Sequence, residues 1–414
     1  MSKLTDLIHS LCPEGVPRVE LGTFAKHEKG KNGDRHCELA YSITKQGLMP
    51  TSEYFKDAKV TSEDTSGYRI VKRNWFVYSP SRIDVGSINY LRDADEVIVS
   101  PLNVVFSVDQ ETIDPEYLLT YLNSKEGTWQ ILTNREGIEG TGRKLLPFEK
   151  FSKITVPVPP LEIQHEVIRV LRYFMELISE LRMELNARNN QYSYYSEAIF
   201  DDLARTSPIL NIEEVVLSLN TGLNPRKNFK LNEPGSCYPY ITGKDIFNNQ
   251  INVGEKTDYI TPEALAIINK RAKLEPGILL FASTGTGTVG RMAVIDAYNN
   301  DWGMSETLFG IKLKEDLILP YYLMYFLYSP YAKEQFEPKI SKGSVPHLKV
   351  KDLMQVKIPV PDINIQRSVI EKLKVFDCIC NNLAEGLPAE INARQKQYEF
   401  YRDTVMQFNV AIGG

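Results

Sequence analysis

No recognisable catalytic signature runs through this sequence. It lacks an Asp/Asn/Ser-Pro-Pro-aromatic tetrapeptide of the kind used for amino-group methylation, a Walker A loop, a nucleophile elbow and an HExxH pair. No spaced carboxylate–lysine cluster typical of a nuclease is present, and the carboxylates fall into no spacing that isolates an acid/base pair. Long apolar runs are also missing. With a mean hydropathy of -0.27 and no uninterrupted apolar stretch of about 18 residues, a membrane span is not expected. The first residues, Met1-Ser2-Lys3-Leu4-Thr5-Asp6, carry no secretion-signal core. Cysteine is scarce: Cys12, Cys37, Cys237, Cys378 and Cys380 form no CxxC pair and no metal spacing. An odd count fits a reduced, cytoplasmic protein better than a disulfide framework. Cys378 and Cys380, two apart in a helical pattern, should face different directions.

A surplus of positive charge is absent too, since the formal net charge of the 414-residue chain is -5. Taken alone, that counts against a polyanionic ligand. The average hides local clusters, however. Lys339, Lys342, Lys349 and Lys351 lie between Glu337 and Asp352; Arg226, Lys227 and Lys230 form a second group, and Lys270, Arg271 and Lys273 a third. In the first half Arg143, Lys144, Lys150 and Lys153 oppose only Glu149. A single cluster reads as a solvated loop, but matching clusters at matching places suggest a shared role.

The most informative positive feature is a duplication. Val156-Pro157-Val158-Pro159-Pro160-Leu161-Glu162-Ile163-Gln164 returns as Ile358-Pro359-Val360-Pro361-Asp362-Ile363-Asn364-Ile365-Gln366. Glu184-Leu185-Asn186-Ala187-Arg188-Asn189-Asn190-Gln191-Tyr192 returns as Glu390-Ile391-Asn392-Ala393-Arg394-Gln395-Lys396-Gln397-Tyr398. A period of roughly 200 residues far exceeds the ~20–50 of a solenoid unit, so one module is used twice.

Between these motifs the pattern is helical. Val167, Leu171, Phe174, Ile178, Leu181, Leu185, Arg188, Tyr192, Tyr195 and Ile199 alternate four and three apart, a heptad stripe broken only by Arg188. At 1.5 Å per residue such a helix reaches roughly 50 Å. The second copy starts alike with Val369, Leu373, Phe376, Cys380, Leu383 and Leu387. Gly386-Leu387-Pro388 then interrupts it before Ile391, Arg394, Tyr398, Tyr401 and Val405. Two such seams most simply cover each other as an antiparallel pair. Pairing with another subunit, or capping a domain, is the alternative.

The segments 1–156 and 205–358 read as mixed α/β domains. Short β-rich runs recur in both, as do the helix starts Asp114-Pro115-Glu116-Tyr117-Leu118-Leu119 and Leu319-Pro320-Tyr321-Tyr322-Leu323-Met324. Their loops are almost unrelated. A shared framework with divergent loops is what two recognition domains for different targets would show.

Gly285-Thr286-Gly287-Thr288-Val289-Gly290 matches the GxGxxG dinucleotide pattern. That chemistry needs a following helix whose N-terminus meets the pyrophosphate. The residues that follow, Arg291-Met292-Ala293-Val294-Ile295, are β-like instead. A tight hairpin loop presenting Ser283, Thr284, Thr286 and Arg291 to phosphates or base edges fits better. The counterpart in the first half, Ser79-Pro80-Ser81-Arg82-Ile83-Asp84-Val85-Gly86, keeps only the last glycine. A second glycine-rich basic turn precedes each long helix: Gly140-Thr141-Gly142-Arg143-Lys144-Leu145 and Lys342-Gly343-Ser344-Val345-Pro346-His347-Leu348. Glycine lets the backbone approach a polyanion, and the cations supply attraction.

The tandem plan, the repeated helix start and Ala393-Arg394-Gln395-Lys396-Gln397-Tyr398-Glu399-Phe400-Tyr401-Arg402-Asp403 together resemble the specificity (S, HsdS) subunit of type I restriction-modification enzymes. The resemblance covers essentially the whole chain. It implies an α+β fold with two mixed α/β target-recognition domains, 1–156 and 205–358. These are separated by long conserved helical regions, 157–204 and 359–414, packed as an antiparallel coiled coil in a pseudo-two-fold tandem repeat. It implies a non-catalytic subunit in which each domain reads one half of a split sequence in double-stranded DNA. The helices set the spacer and dock two methyltransferase subunits, which bind S-adenosylmethionine, and restriction subunits can join. For DNA contact the candidates are Arg82, Arg143 and Lys144 in the first domain, and Thr284, Thr286, Arg291, Lys342, Ser344 and His347 in the second. Lys31, Arg35, Arg226, Lys227 and Lys244 stand behind them. On the docking helices the matched pairs are Gln164/Gln366, Arg188/Arg394, Tyr192/Tyr398 and Tyr195/Tyr401. The middle copy lacks the charged end seen at Glu399 and Arg402-Asp403, so the two docking sites need not be equivalent. Two rival readings are a nucleotide-dependent enzyme built on Gly285–Gly290 and a coiled-coil adaptor that does not read DNA.

Overall fold

The computed structural model describes residues 2–34, 36–44, 47–55, 62–137, 144–295, 301–381 and 386–408. It divides into two compact units. One comprises residues 1–179 and 393–414, the other residues 180–392. The dividing line falls within one helix of 46 residues, Leu161–Thr206.

In the first unit a four-stranded antiparallel sheet runs in the order Ala25–Glu28, Val104–Val108, Phe76–Tyr78, Ile88–Tyr90. Alternate large side chains point to one face, where Phe76, Tyr78 and Phe106 join Tyr117, Phe151 and the helical residues Ile163, Val167 and Leu171 in the main core. The other face carries a smaller cluster of Val71, Val77, Val97, Val99 and Val105. In the second unit the matching sheet runs Val216–Thr221, Leu308–Leu313, Leu279–Ala282, Met292–Val294. Its core gathers Phe281, Phe309, Tyr322 and Phe326 with Phe200 from the long helix and with Val369 and Leu373.

The same stitches recur at equivalent positions. Arg18–Glu20 pairs with Thr155–Pro157, and Ile209–Asn211 with Lys357–Pro359, just before each helix start. Tyr117 Oη donates to Pro157 O at 2.9 Å, and Tyr322 Oη to Pro359 O at 2.8 Å. Gln130 brackets the backbone of Thr155 from both sides at 2.9 Å. Gln335 brackets that of Lys357 at 3.1 and 2.8 Å. Ser124 and Ser329 each cap a short helix. All four devices end on main-chain atoms, so each works whatever the loops contain.

The seam residues are covered within each unit. In the first, Phe174 stacks on Tyr401 with centroids 5.1 Å apart, and Met406 of the helix Leu387–Gln407 is buried in the core. In the second, Tyr195 and Tyr192 lie 5.8 and 6.3 Å from Phe376 of the helix Ile363–Asn381. Early residues of the long helix therefore meet late residues of the C-terminal region, and late ones meet early ones, as an antiparallel pairing requires. The C-terminal copy is two helices rather than one. The second begins at Leu387, which puts Pro388 in its first turn, where a missing N–H costs nothing. Cys380 is buried and Cys378 exposed, as their spacing predicts.

Candidate nucleic-acid interface

The Gly285–Gly290 loop is a hairpin. It joins Leu279–Ala282 to the antiparallel Met292–Val294, and its three glycines adopt left-handed φ values of 131°, 72° and 86°. A strand follows the loop where a dinucleotide site needs a helix, which removes the physical basis for the nucleotide-enzyme reading.

The second glycine-rich turn is fastened to this hairpin. Gly285 N donates to Pro346 O at 3.0 Å, and Leu348 N to Ser283 O at 2.9 Å. Thr284 Oγ1 and His347 Nδ1 lie 2.7 Å apart in a hydrogen bond, and Thr286 Oγ1 reaches Ser344 O at 3.4 Å. Four of the sequence candidates, Thr284, Thr286, Ser344 and His347, thus converge on one pair of loops. Lys342 lies exposed on the same turn with no ion-pair partner among the described residues. Ser283 differs from expectation. It is buried, and its hydroxyl donates to Thr307 O at 2.9 Å, so it supports the hairpin from inside.

Arg291 is also drawn inward. Its Nη1 donates to Ile246 O at 3.1 Å and its guanidinium stands 5.9 Å from the Phe247 ring. It braces the turn at Asn248 and Asn249, both with positive φ, rather than standing free beside the hairpin. Lys244 is likewise committed, 2.7 Å from Asp258, whose carboxyl it holds below its usual range. Arg226 and Lys227 remain exposed, Arg226 at the edge of a cleft further along the domain.

The first unit builds the corresponding place differently. Its hairpin loop follows Tyr78, and Leu146 N donates to Pro80 O at 3.1 Å just as Leu348 N does to Ser283 O. Here a nearly buried arginine makes the fastening. Arg135 Nη1 pairs with Asp84 at 2.7 Å, while Nη2 donates to Lys144 O at 3.0 Å and to Ser81 O at 3.4 Å. Arg82 and Lys144, both exposed, thereby sit on two loops pinned by one guanidinium. Lys31 is exposed on a strand bridge to Arg69. Arg35 and Arg143 lie outside the described residues. Arg135 was invisible in the sequence, where it precedes Glu136 as one charge among many.

The helical candidates divide sharply. Gln164 and Gln366 are fully buried. Gln164 accepts from Asp114 N at 2.9 Å and donates to Thr112 O and Pro159 O at 3.0 and 2.7 Å. Gln366 accepts from Leu319 N at 2.9 Å and donates to Leu317 O and Pro361 O at 2.8 and 2.9 Å. Both amides are fully engaged with backbone, so in place of an outward docking role the structure gives them an interior one. Arg188 donates to Gln191 Oε1 at 3.0 Å, and Arg394 to Gln397 Oε1 at 2.9 Å, the same i,i+3 contact in each copy. Arg188 also bridges to Glu184. Tyr195 stays about half exposed at 47%. Burial raises the Tyr398 hydroxyl above its usual range, and Arg402 approaches its ring to 5.8 Å. Tyr192 and Tyr401 lie within the seams described above.

Among the described residues no group of His, Cys, Asp and Glu is arranged to hold a metal ion, and no helix is long and apolar enough to cross a membrane.

Comparison with known proteins bears on this arrangement directly. A family model for the type I restriction modification DNA specificity domain matches twice, at residues 24–188 and 209–393. The chain is 31% identical to the type I restriction enzyme EcoR124I/EcoR124II specificity subunit of Escherichia coli, over 99% of this chain and 97% of that one. It is 23% identical to the type I restriction enzyme MjaVIII specificity subunit of Methanocaldococcus jannaschii, covering 88% and 87% of the two. In fold it resembles a chain solved in work on the assembly and conformational transition of a type I R-M system, with a TM-score of 0.56 over 95% of this chain and 98% of that one at 17% identity. The duplicated sequence, the two like sheets and the double match of one model have a single explanation: this chain belongs to the type I restriction-modification DNA specificity family.

Proposed function

We propose that segments 1–156 and 205–358 each read one half of an asymmetric, bipartite sequence in double-stranded DNA. The helical regions 157–204 and 359–414 set the unread spacer and hold two methyltransferase subunits. S-adenosylmethionine is carried by those partners, restriction subunits can join, and the assembly works in the cytoplasm. This chain supplies recognition and leaves the chemistry to its partners.

One observation carries the reading. At the same topological place, the two units present loop pairs of different chemistry. In the first, Arg135 pins the loops that carry Arg82 and Lys144, and in the second Thr284 bonds to His347 and Thr286 to Ser344 O. A charged loop suits phosphates and guanine edges, and a hydroxyl-rich one suits mixed donors and acceptors, so the half-sites should differ. The chain itself carries a net charge of -5. Most phosphate attraction therefore falls to the partners, and the isolated chain should bind DNA weakly and in a salt-sensitive manner.

Genome-wide mapping of methylated adenine, in cells with and without this chain, tests the reading. The expected result is a two-part motif with unlike halves that vanishes when the chain is deleted. A motif that survives deletion, or one that is continuous and palindromic, overturns it.

A further inference from the structure

In the second recognition domain a cleft of about 640 Å3 opens between the exposed helical turn Pro225–Asn228 and the strand Tyr238–Ile241. Phe229, Leu231 and the nearly buried Tyr240 form apolar walls, Arg226 stands at the rim, and two carboxylates, Asp258 and Glu306, line the interior. The two acids are held differently. Asp258 has a cation, Lys244 at 2.7 Å, and a further donor in Asn232 at 2.9 Å. Glu306 has only neutral donors among the described residues: Asn224 Nδ2 at 2.8 Å, Tyr240 Oη at 3.1 Å and Ser305 Oγ at 3.2 Å. The Tyr240 hydroxyl also lies 2.7 Å from Leu223 O, so its single proton is shared between two acceptors. A carboxylate offers about four acceptor positions. Glu306 therefore retains unused acceptor capacity inside a largely apolar cleft, which is costly unless something else fills it.

The framework does not require an acid there. Tyr78 pairs with Val104 as Phe281 pairs with Phe309. The turn before each of these strands closes with the same bond, Asn103 N to Ser100 O at 3.0 Å and Leu308 N to Ser305 O at 3.2 Å. Within those matched turns Pro101 stands where Glu306 stands. The first domain thus makes the turn with a residue that has no acceptor side chain, so the glutamate is a property of the second head alone.

We infer that this cleft receives one base of the second half-site and that Glu306 accepts a hydrogen bond from that base's exocyclic amino group. The inference rests on the DNA-reading function proposed above. A carboxylate accepts from cytosine N4 and repels the carbonyl edges of guanine and thymine, and adenine sets the acceptor N7 beside its N6 amino group, so the base read is a cytosine. Phe229 and Leu231 supply the apolar contact, and Arg226 at the rim meets the phosphate that accompanies the base.

The test uses the full chain co-expressed with the methyltransferase subunit of its own system. Plasmid libraries randomised at one half-site at a time are sequenced for methylated adenine. E306A should relax one position of the second half-site by roughly tenfold or more, leaving the first half-site and the spacer length unchanged. E306Q fills the same volume and adds a donor beside the acceptor, the combination that reads adenine N7 and N6 together. It should shift that position towards an A·T pair. If both variants keep every preference of the parent, or relax the two half-sites equally, Glu306 does not read a base. Co-purification with the methyltransferase identifies a variant that has merely failed to fold, and E306Q then decides the question by its A·T shift or the lack of one. Failure of the wider reading would look different: the unaltered chain would direct no bipartite motif at all.

Discussion

Replacing Gln366 with alanine tests whether the repeated glutamine holds the fold or faces a partner. The side chain is fully buried and makes three hydrogen bonds to backbone, accepting from Leu319 N and donating to Leu317 O and Pro361 O. Truncation leaves one donor and two acceptors unpaired beside the helix start. At about 1 kcal/mol net for each lost bond, the second unit should lose about 3 kcal/mol, roughly a hundredfold in its folded-to-unfolded ratio. Part of that loss is local. The Leu319 amide, which closes the start of the helix Pro320–Tyr328, should exchange with solvent much faster.

Two assays separate the possibilities. Guanidinium denaturation gives the stability change, and hydrogen exchange read by mass spectrometry on a peptide spanning Leu319 locates it. Gln164→Ala should do the same at Asp114, whose amide its side chain accepts, and leave Leu319 untouched. A loss below about 1 kcal/mol refutes the reasoning. So does a normally folded Gln366→Ala chain that no longer co-purifies with the methyltransferase, because that result would place the glutamine on a docking surface.

Two further outcomes follow from the first unit. Arg135→Gln removes the guanidinium that ties Asp84, Ser81 O and Lys144 O together; stability should fall by about 1–3 kcal/mol, and methylation mapping should show poorer discrimination in the first half-site only, whereas equal damage to both halves would refute the pinning role. His36 is clamped between Asp34 and Glu96, 2.6 Å from each, and the Asp34 hydrogen bond, followed by that of Glu96, raises its pKa above 6.5. Its stabilising contribution is therefore complete below pH 6.5 and fades as pH rises through the higher folded value. An NMR titration of the ring checks this, and a midpoint at or below 6.5 would contradict it.

The duplication, the heptad seams, the interruption at Gly386–Pro388 and the hairpin character of the Gly285–Gly290 loop were all legible in the sequence. Each depends on local spacing or on backbone preference, which a sequence displays directly. What could not be read was the direction of individual polar side chains. Gln164 and Gln366 stand out because they repeat, but a repeat is equally consistent with an inward and an outward role. Their partners, around residues 112 and 317, come from loops some fifty positions away. Arg291 and Lys244 looked like free cations because Ile246, Phe247 and Asp258 become their neighbours only through the tertiary fold. Glu306 carried no signal at all. It belongs to no motif, and its role appears only when its turn is laid against the matching turn at Pro101.

These cases point to a division of labour that the duplication itself explains. The stitches shared by the two recognition domains end on backbone: Gln164 and Gln366 on loop carbonyls and amides, Gln130 and Gln335 on strands, Tyr117 and Tyr322 on prolines. Backbone partners survive almost any change of neighbouring side chains, because every residue but proline offers the same N–H and every residue the same C=O. The contacts that differ, Arg135 with Asp84 in one unit and Thr284 with His347 in the other, run through loop side chains. A chain built this way can exchange what its loops read without loosening the sheet, the cap or the helix start beneath them. Framework and reading surface are thus energetically separable, which is the physical condition for one duplicated fold to hold two different half-sites.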